Sequence, residues 1–496
     1  MNFIRQRLTT LRTRAREMQT ALRRWALYAD TVSNEMRGDL LARFTPAERE
    51  EFDSVVDRTR TRLRPVAVQI DTLRKWTDFL LEKINEQFDR ARALLDQGRN
   101  HESLAILNDI EQRMLNPNRD TLAFVSRAFQ QRCGHDYCHK IAAIDAIIRD
   151  LYLPTAKIVH QRGLIPKEAL ARIPLAYLTD TPDALYVWRQ HAQAAAIAGR
   201  QIPITLLAVP REFTADPWNL VAIAHEVALQ LYHDLQLGFE FAHKLLRESV
   251  NANVSSQTAP LWSRWHETLF ADVFGVMRMG PAYVSGMVEL LGSDPQAAIA
   301  GSADAPTPPI YVRWHIMLQA LHLLGFPEEA RAQFGQVHML CGDPTQLSRT
   351  FGPVWMQLIN EARAVAGLIA FTPVQKLGGV RMIDVCPPFL STESQHVQKV
   401  RDILLAGDEN CVKDREIRWA DSIREVPAHL ALAGLRQAFD ASEDVEAARR
   451  LWIRFWCMMQ LLTAEVLPSR EREDREYAWT DAVLKASAHR AVPAMA

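Results

Sequence analysis

The sequence predicts a mainly α protein with a small β element, arranged in three parts: an N-terminal coiled coil or helical bundle over 1–118, an α+β domain over 119–385 and a helical region over 386–496. A heptad repeat near the N-terminus indicates the first part. An apolar, β-branched run over 202–210, bounded by prolines, indicates a strand in the second part. Apolar residues at helical spacing after Gly325 indicate that the rest of the chain is again helical.

The N-terminal segment carries a heptad repeat. Its apolar residues alternate by four and three positions, which is the 3.5-residue period of a coiled-coil seam. The seam consists of Ile4, Leu8, Leu11, Ala15, Met18, Leu22, Trp25, Ala29, Val32 and Met36. Seven arginines between positions 5 and 24 make the remaining faces of this helix basic. These faces are either solvated or a binding surface for an acidic partner. The repeat predicts a long first helix, and self-association through 1–36 is one use of its seam.

Three further helices are predicted in the first part. Residues 45–48, Thr-Pro-Ala-Glu, have the form of a capping box with proline at the first helical position, and they begin a helix to about 63. A long helix over 65–97 follows and ends at Gly98. Another runs over 102–115 and ends at Asn116-Pro117-Asn118. Antiparallel packing of these helices gives a bundle rather than an enzyme core.

A cysteine- and histidine-rich segment lies in the next predicted helix, over 119–153. Residues 133–139 read Cys-Gly-His-Asp-Tyr-Cys-His and contain four potential zinc ligands. No second Cys/His pair stands at finger spacing, and one short helix cannot close a tetrahedron with the adjacent Cys138 and His139. These side chains are therefore expected to be structural.

The strand over 202–210 is followed by a helix. Asp216 is a candidate N-cap, Pro217 stands at the first helical position, and the apolar spacing predicts a helix over 218–237 that ends at Gly238. This helix carries the most informative string in the chain.

That string is His225-Glu226-Val-Ala-Leu229, one residue short of the H-E-x-x-H motif. In the motif, two histidines four residues apart share one helix face and bind zinc, and the glutamate is the general base. His225 and Glu226 keep their places. Leu229 holds the position of the second histidine, and an isobutyl group has no lone pair to give to a metal.

A second segment, Trp265 to Gly275, contains the string Asp272-Val-Phe-Gly275 on a predicted helix. Together with the strand and the His225-Glu226 helix, it resembles the thermolysin-like zincins (gluzincins) over about 203–325. The resemblance implies that Asp272 supports the metal site and that the third ligand, a glutamate, belongs four residues earlier. Thr268 holds that position, so two of the three implied ligand positions, Leu229 and Thr268, are lost.

Two neighbouring residues offer a replacement ligand set. His266 and Glu267 precede Thr268, and Glu267 lies about 100° around the helix from the implied ligand position. A zinc site built from His225, His266 or Glu267 is thus an alternative, with Glu226 as base. Downstream, a proline-rich turn and helix resemble a segment of some bacterial zincin-like proteins. Arg313 there is expected to flank the cleft, and Thr307 stands where that segment has a histidine.

The C-terminal part is predicted to be helical. Leu377-Gly378-Gly379 indicates a turn beside a short strand. Helices are expected over 397–405, 427–439 and 445–466, and the last carries an aromatic stripe that is typical of core packing, with partner docking as the alternative.

Composition narrows the class of protein. The chain has 496 residues, is 48% hydrophobic and 24% charged, and carries a formal net charge of −1. The net charge is close to zero and the sequence has no dense basic patch, so nothing in it indicates nucleic-acid binding. Six cysteines in so long a chain are not a disulfide framework, and no run of about 18 apolar residues predicts a membrane span. A cytoplasmic location is therefore expected.

Three functional hypotheses follow. The first is a catalytically degenerate zincin, a pseudopeptidase that binds or scaffolds a protein or peptide partner and needs no cofactor. The second is an active zinc metallopeptidase with displaced ligands. The third is an all-helical interaction protein in which the zincin pattern arises by chance.

Overall fold

The computed structural model of the protein describes residues 2–28, 66–133, 137–166, 170, 172–180, 186–188, 204–247, 253–292, 304–341, 354–406, 423, 425–442 and 444–464. The described chain is mainly helical, with two small sheets. It divides into two compact units, one formed by Met1–Ala142, Ala171–Leu178 and Trp188–Ala208, the other by Ala143–Leu170, Thr179–Val187 and Val209–Ala496. The three-part domain organisation remains a prediction.

The first unit is built from long helices. These are α1 (Asn2–Tyr28), α2 (Ala67–Asp96), α3 (Asn100–Asp109), a π-helical turn (Ile110–Leu115) and α4 (Asn116–Cys133). The predicted helix over 65–97 is confirmed, and Gly98 ends it with a positive φ of 76°. The predicted end at Asn116-Pro117-Asn118 is wrong, because the π-helical turn leads directly into α4. The predicted helix over 45–63 lies outside the described residues.

The heptad seam of α1 packs within the chain. Its described members from Ile4 to Leu22 are at most 9% exposed, and they lie against α2. Arg12 contacts Asp89, and Gln19 contacts Asp78, so the two helices run antiparallel. Self-association through this seam would therefore require α1 to leave α2 or to be exchanged between two copies. Ala29, Val32 and Met36 lie outside the described residues.

A three-stranded sheet has the order β1-β3-β2. Its strands are β1 (Leu175–Thr179), β2 (Tyr186–Trp188) and β3 (Leu206–Pro210). The predicted strand over 202–210 is confirmed over its C-terminal half, while β1 and β2 were not predicted. Arg132 at the end of α4 donates to the Ala176 carbonyl at 2.8 Å, which anchors β1 to the helical part of the first unit.

Helices make up most of the second unit, and the first of them, α5 (Cys138–Gln161), begins at the end of the first unit. The others are α6 (Ile223–Asp234), α7 (Gly238–Arg247), α8 (Ala259–Arg264), α9 (His266–Met279), α10 (Pro281–Leu291), α11 (Ile310–Leu323), α12 (Pro327–Cys341), α13 (Val354–Phe371), α14 (Met382–Val385), α15 (Ser391–Ala406), α16 (Ala428–Asp440) and α17 (Val445–Ala464). The predicted helix over 119–153 is in fact two, α4 and α5, and α5 continues past Pro154 to Gln161.

The helix that carries His225 is shorter than predicted. Residues Pro217–Ala222 form a 3-10 turn with Pro217 at its start, and Asp216 makes no side-chain capping bond. The α-helix then ends at Asp234, because Gln236 takes a left-handed φ of 54° and breaks the helical path. Gly238 therefore begins α7 instead of ending α6.

The C-terminal helix α16 packs on α9, α10 and the 3-10 turn before α6. The aromatic stripe of α17 is core packing, as predicted, with Phe455 fully buried. Trp452 and Trp456 both donate to the carbonyl of Thr214, at 2.8 and 3.2 Å, just before the 3-10 turn that leads into α6. The predicted turn at Leu377-Gly378-Gly379 is confirmed beside the paired strands β4 (Pro373–Val374) and β5 (Val380–Arg381).

Candidate functional site

The candidate site lies at the interface of α6 and α9. His225 on α6 contacts Asp272 on α9, while His233, two turns further along α6, contacts Glu267 near the start of α9. Because positions rise along one helix as they fall along the other, the two helices are antiparallel. The register thus brings the two sequence-predicted strings together.

Asp272 is the centre of a buried hydrogen-bond network. Arg313 on α11 donates to both of its oxygens, from Nε to Oδ2 and from Nη2 to Oδ1, each at 2.8 Å. His225 Nδ1 lies 3.1 Å from Oδ1, and the Tyr283 hydroxyl of α10 donates to the same oxygen at 3.3 Å. Asp272 itself has no solvent exposure. Three helices, α6, α10 and α11, therefore contact one carboxylate of α9.

The network keeps Asp272 ionised. Burial raises the pKa of its carboxyl, but the Arg313 guanidinium and the His225 hydrogen bond outweigh burial and hold the pKa at about 2. Burial also raises the pKa of Tyr283, and the charge of Asp272 adds to that effect. Tyr283 is therefore a neutral donor and Asp272 an acceptor at every pH near neutrality.

Tyr283 was not found from the sequence. Its ring packs on Gly275, where an added Cβ would lie 2.3 Å from ring carbon Cζ. Glycine at 275 is thus what allows the ring to approach α9 and to bring its hydroxyl to the Asp272–His225 pair. The only sequence signal was Gly275 itself, since nothing local links α10 to the site.

The next layer of the same interface contains Leu229 and Thr268, the two positions where the resemblance implies metal ligands. Leu229 lies one turn beyond His225, and Thr268 lies one turn before Asp272. Residues four apart share a helix face. Because the helices are antiparallel, the step from His225 to Leu229 and the step from Asp272 to Thr268 run in the same direction along the interface. Leu229 is half-buried, and Thr268 is 7% exposed. A hydrocarbon and a neutral hydroxyl therefore occupy this layer.

The proposed replacement ligands make other contacts. The Tyr232 hydroxyl and Nδ1 of His266 are hydrogen-bonded at 2.6 Å, and Glu267 pairs with His233. Burial lowers the pKa of His266, while the nearby Glu267 carboxylate acts in the opposite direction. Within the part of the chain that the structure describes, no three His, Cys, Asp or Glu side chains are grouped to hold a metal ion.

Two other predicted features can be placed. Arg313 is 9% exposed and binds Asp272, so it supports the site from within the core and does not line an open cleft. Thr307 is exposed in the loop before α11. In the 133–139 segment, Cys138 is buried and His139 is exposed, while residues 134–136 lie outside the described chain.

No protein-family model matches the chain, and neither a curated protein nor a solved structure matches it. Among the described helices, none is both long and apolar enough to cross a membrane.

Proposed function

We propose that this chain is a zincin-like protein that has lost the ligand set of a metallopeptidase and serves as a binding or scaffold module for a protein or peptide partner. One observation carries the proposal: the Asp272–His225–Arg313 network is assembled, while the adjacent layer holds Leu229 and Thr268. Zinc binds thiolate, imidazole and carboxylate groups, and neither residue of that layer supplies one.

Loss of the ligands removes the chemistry of the fold. A metallopeptidase uses zinc to lower the pKa of a bound water to about 7 and to polarise the scissile carbonyl. Without an activated water, Glu226 has no proton to take. The retained network is difficult to explain as packing alone, because a buried ion pair is often no more stable than hydrocarbon of the same volume.

Binding at α6 is supported by partial exposure. Within the described residues, the side chains of His225 and Leu229 are partly exposed rather than fully buried. The displaced-ligand peptidase is less favoured, since His266 and Glu267 are already bonded to Tyr232 and His233. The all-helical alternative is less favoured because the strand before the His225 helix is present as β3.

Metal analysis separates the first two hypotheses. The full chain is equilibrated with zinc, desalted and measured by mass spectrometry, beside His225→Ala and a matched His322→Ala control on α11. The proposal expects well under one zinc per chain in all three. One zinc per chain in the wild type and in the control, absent from His225→Ala, would show a working metal site and overturn the proposal.

A further inference from the structure

A second buried group of polar side chains, outside the Asp272 network, lies where the last turn of α9 meets the first turn of α16. Arg278 on α9 and His429 on α16 are each 3% exposed. Nη1 of Arg278 donates to the Pro387 carbonyl at 2.7 Å, and Nη2 donates to the Asp150 carbonyl at 2.9 Å. Nη2 also lies 3.3 Å from Nε2 of His429. The bonded partners of this buried guanidinium are therefore two carbonyls and an imidazole, and none of them is a carboxylate.

Two nitrogens of the same group have no hydrogen-bond partner. Burial holds the pKa of His429 well below its usual value, and the charge of Arg278 acts in the same direction, so the ring is neutral. A guanidinium only donates, so Nε2 of His429 is the acceptor and Nδ1 carries the ring proton. Nδ1 of His429 and Nε of Arg278 are both buried, and neither is bonded to another group of the protein. Two N–H donors are thus enclosed without an acceptor from the chain, which is costly.

The two donors are neighbours. Nε of Arg278 is joined to Nη2 through one carbon, and Nδ1 of His429 is joined to Nε2 through one carbon, so both lie beside the 3.3 Å contact. His429 is also the second residue of α16, a helix of 13 residues. The positive end of the helix dipole therefore lies at the same place, where it favours negative charge.

The charge of Arg278 is only partly balanced by the chain. The Asp150 carboxylate is bonded to the Ala428 N–H at 2.7 Å. Burial raises the pKa of the Cys386 thiol to about 11, so the thiol is neutral near pH 7. Burial also lowers the pKa of Arg278, and Cys386, Asp150 and Glu393 offset that effect only in part. A water molecule would satisfy the two donors and leave the charge, whereas an anion would satisfy both.

We propose that Nε of Arg278 and Nδ1 of His429 bind a small inorganic anion of the size of chloride, enclosed at the start of α16. The anion accepts one hydrogen bond from each nitrogen, and the bond from the guanidinium is charge-assisted. Because both nitrogens are buried, the site selects for an anion with few atoms. This site shares no residue with the α6–α9 interface, and the inference is independent of the proposed function.

Anion exchange at constant ionic strength tests the proposal on the full chain. Urea unfolding is measured in sodium chloride and in sodium gluconate, whose anion is too large for an enclosed site. Three proteins are compared: the wild type, Cys386→Asp and Cys386→Ser. Cys386→Asp supplies a fixed carboxylate near Arg278, and Cys386→Ser is its neutral control. Since a ligand of the folded state stabilises it, chloride is expected to raise the folding equilibrium constant of the wild type and Cys386→Ser at least about tenfold more than that of Cys386→Asp. An equal response of the three proteins, as a general salt effect would give, overturns the proposal.

Bromide provides a second measurement that needs no variant. Crystals of the wild type are grown with bromide in place of chloride, and the ion is located by its anomalous scattering. A peak within hydrogen-bond distance of both Arg278 Nε and His429 Nδ1 is expected. A water molecule at that position, or bromide found only at the protein surface, would overturn the proposal even if Cys386→Asp fails to fold.

Discussion

Each unit contains an antiparallel helix pair, and the two pairs place charge differently. Between α1 and α2 the clustered buried side chains are apolar, and the ion pair lies at the edge of the interface, where Arg12 contacts an Asp89 side chain that is 74% exposed. Between α6 and α9 the charge is at the centre, where Asp272 has no exposure. Rim pairs add little stability, whereas a buried carboxylate is tolerated only with its partners in place. Apolar packing therefore dominates the first interface, whereas in the second the buried carboxylate holds the His225 ring through a hydrogen bond.

The largest expected effect comes from removing the cation of the second pair. Arg313→Met keeps most of the side-chain volume but leaves the Asp272 charge buried without its two strongest donors, and we expect a loss of about 3–5 kcal/mol in the free energy of unfolding. Urea unfolding followed by tryptophan fluorescence measures it. A loss below about 1 kcal/mol would mean that the pair is not the centre of this interface.

The close contact of Tyr283 with α9 gives the next effect. Gly275→Ala forces the ring away from its position, and we expect a loss of about 3 kcal/mol together with a changed His225 environment in NMR spectra. Gly335→Ala on α12 is the matched control, because nothing lies within 4 Å of its added Cβ. That change should stabilise the helix by about 0.5–1 kcal/mol. Similar losses in both variants would argue against the ring contact.

The ionisation of Asp272 predicts a pH dependence. Its pKa is about 2 in the fold, below the usual 3.8, so its ionised form stabilises the native state by on the order of 2 kcal/mol above pH 4. That contribution is lost as pH falls from about 4 through 2. The stability difference between the wild type and Asp272→Asn should therefore shrink across this window. A difference that stays constant from pH 5 to pH 2.5 contradicts the lowered pKa.

The two sequence strings that meet at the candidate site are both local, and each can therefore be recognised from the sequence alone. His225-Glu226 and Asp272-Val-Phe-Gly275 each occupy about one turn of one helix, so their meeting depended only on the register of α6 and α9. Tyr283 comes from a third helix, and its place depends on the space left at Gly275. The spacing of apolar residues along the sequence does not predict a contact of this kind between two helices.

The errors in helix ends have a similar origin. The sequence predicts that the His225 helix ends at Gly238, because glycine often adopts a left-handed φ after a helix. Here Gln236 adopts that conformation two residues earlier, which propensity alone does not predict. In the same way, the composition of Asn116-Pro117-Asn118 is typical of a helix end. In the structure, however, the π-helical turn leads directly into α4, and Pro117 lies in the first turn of that helix.

The smallest effect is expected at the rim of the first pair. Asp89→Ala removes the partner of Arg12, whose contact at 2.8 Å is largely solvated. We expect a change within about 1 kcal/mol in the free energy of unfolding, decreasing further in high salt. If Asp89→Ala lowers the free energy of unfolding as much as Arg313→Met does, the two helix pairs do not differ in the way described here.

The most direct test of the proposed function is to place zinc ligands at the two positions where the resemblance implies them. Leu229→His with Thr268→Glu places an imidazole and a carboxylate in the layer beside His225, and Leu229→Gln with Thr268→Gln is the control of similar size without zinc ligands of that kind. Zinc titration by competition with a chelating dye, after circular dichroism confirms folding, should give one site of roughly micromolar affinity or tighter in the first variant and none in the control. A folded His/Glu variant that binds zinc no better than the control would contradict the assignment of both positions.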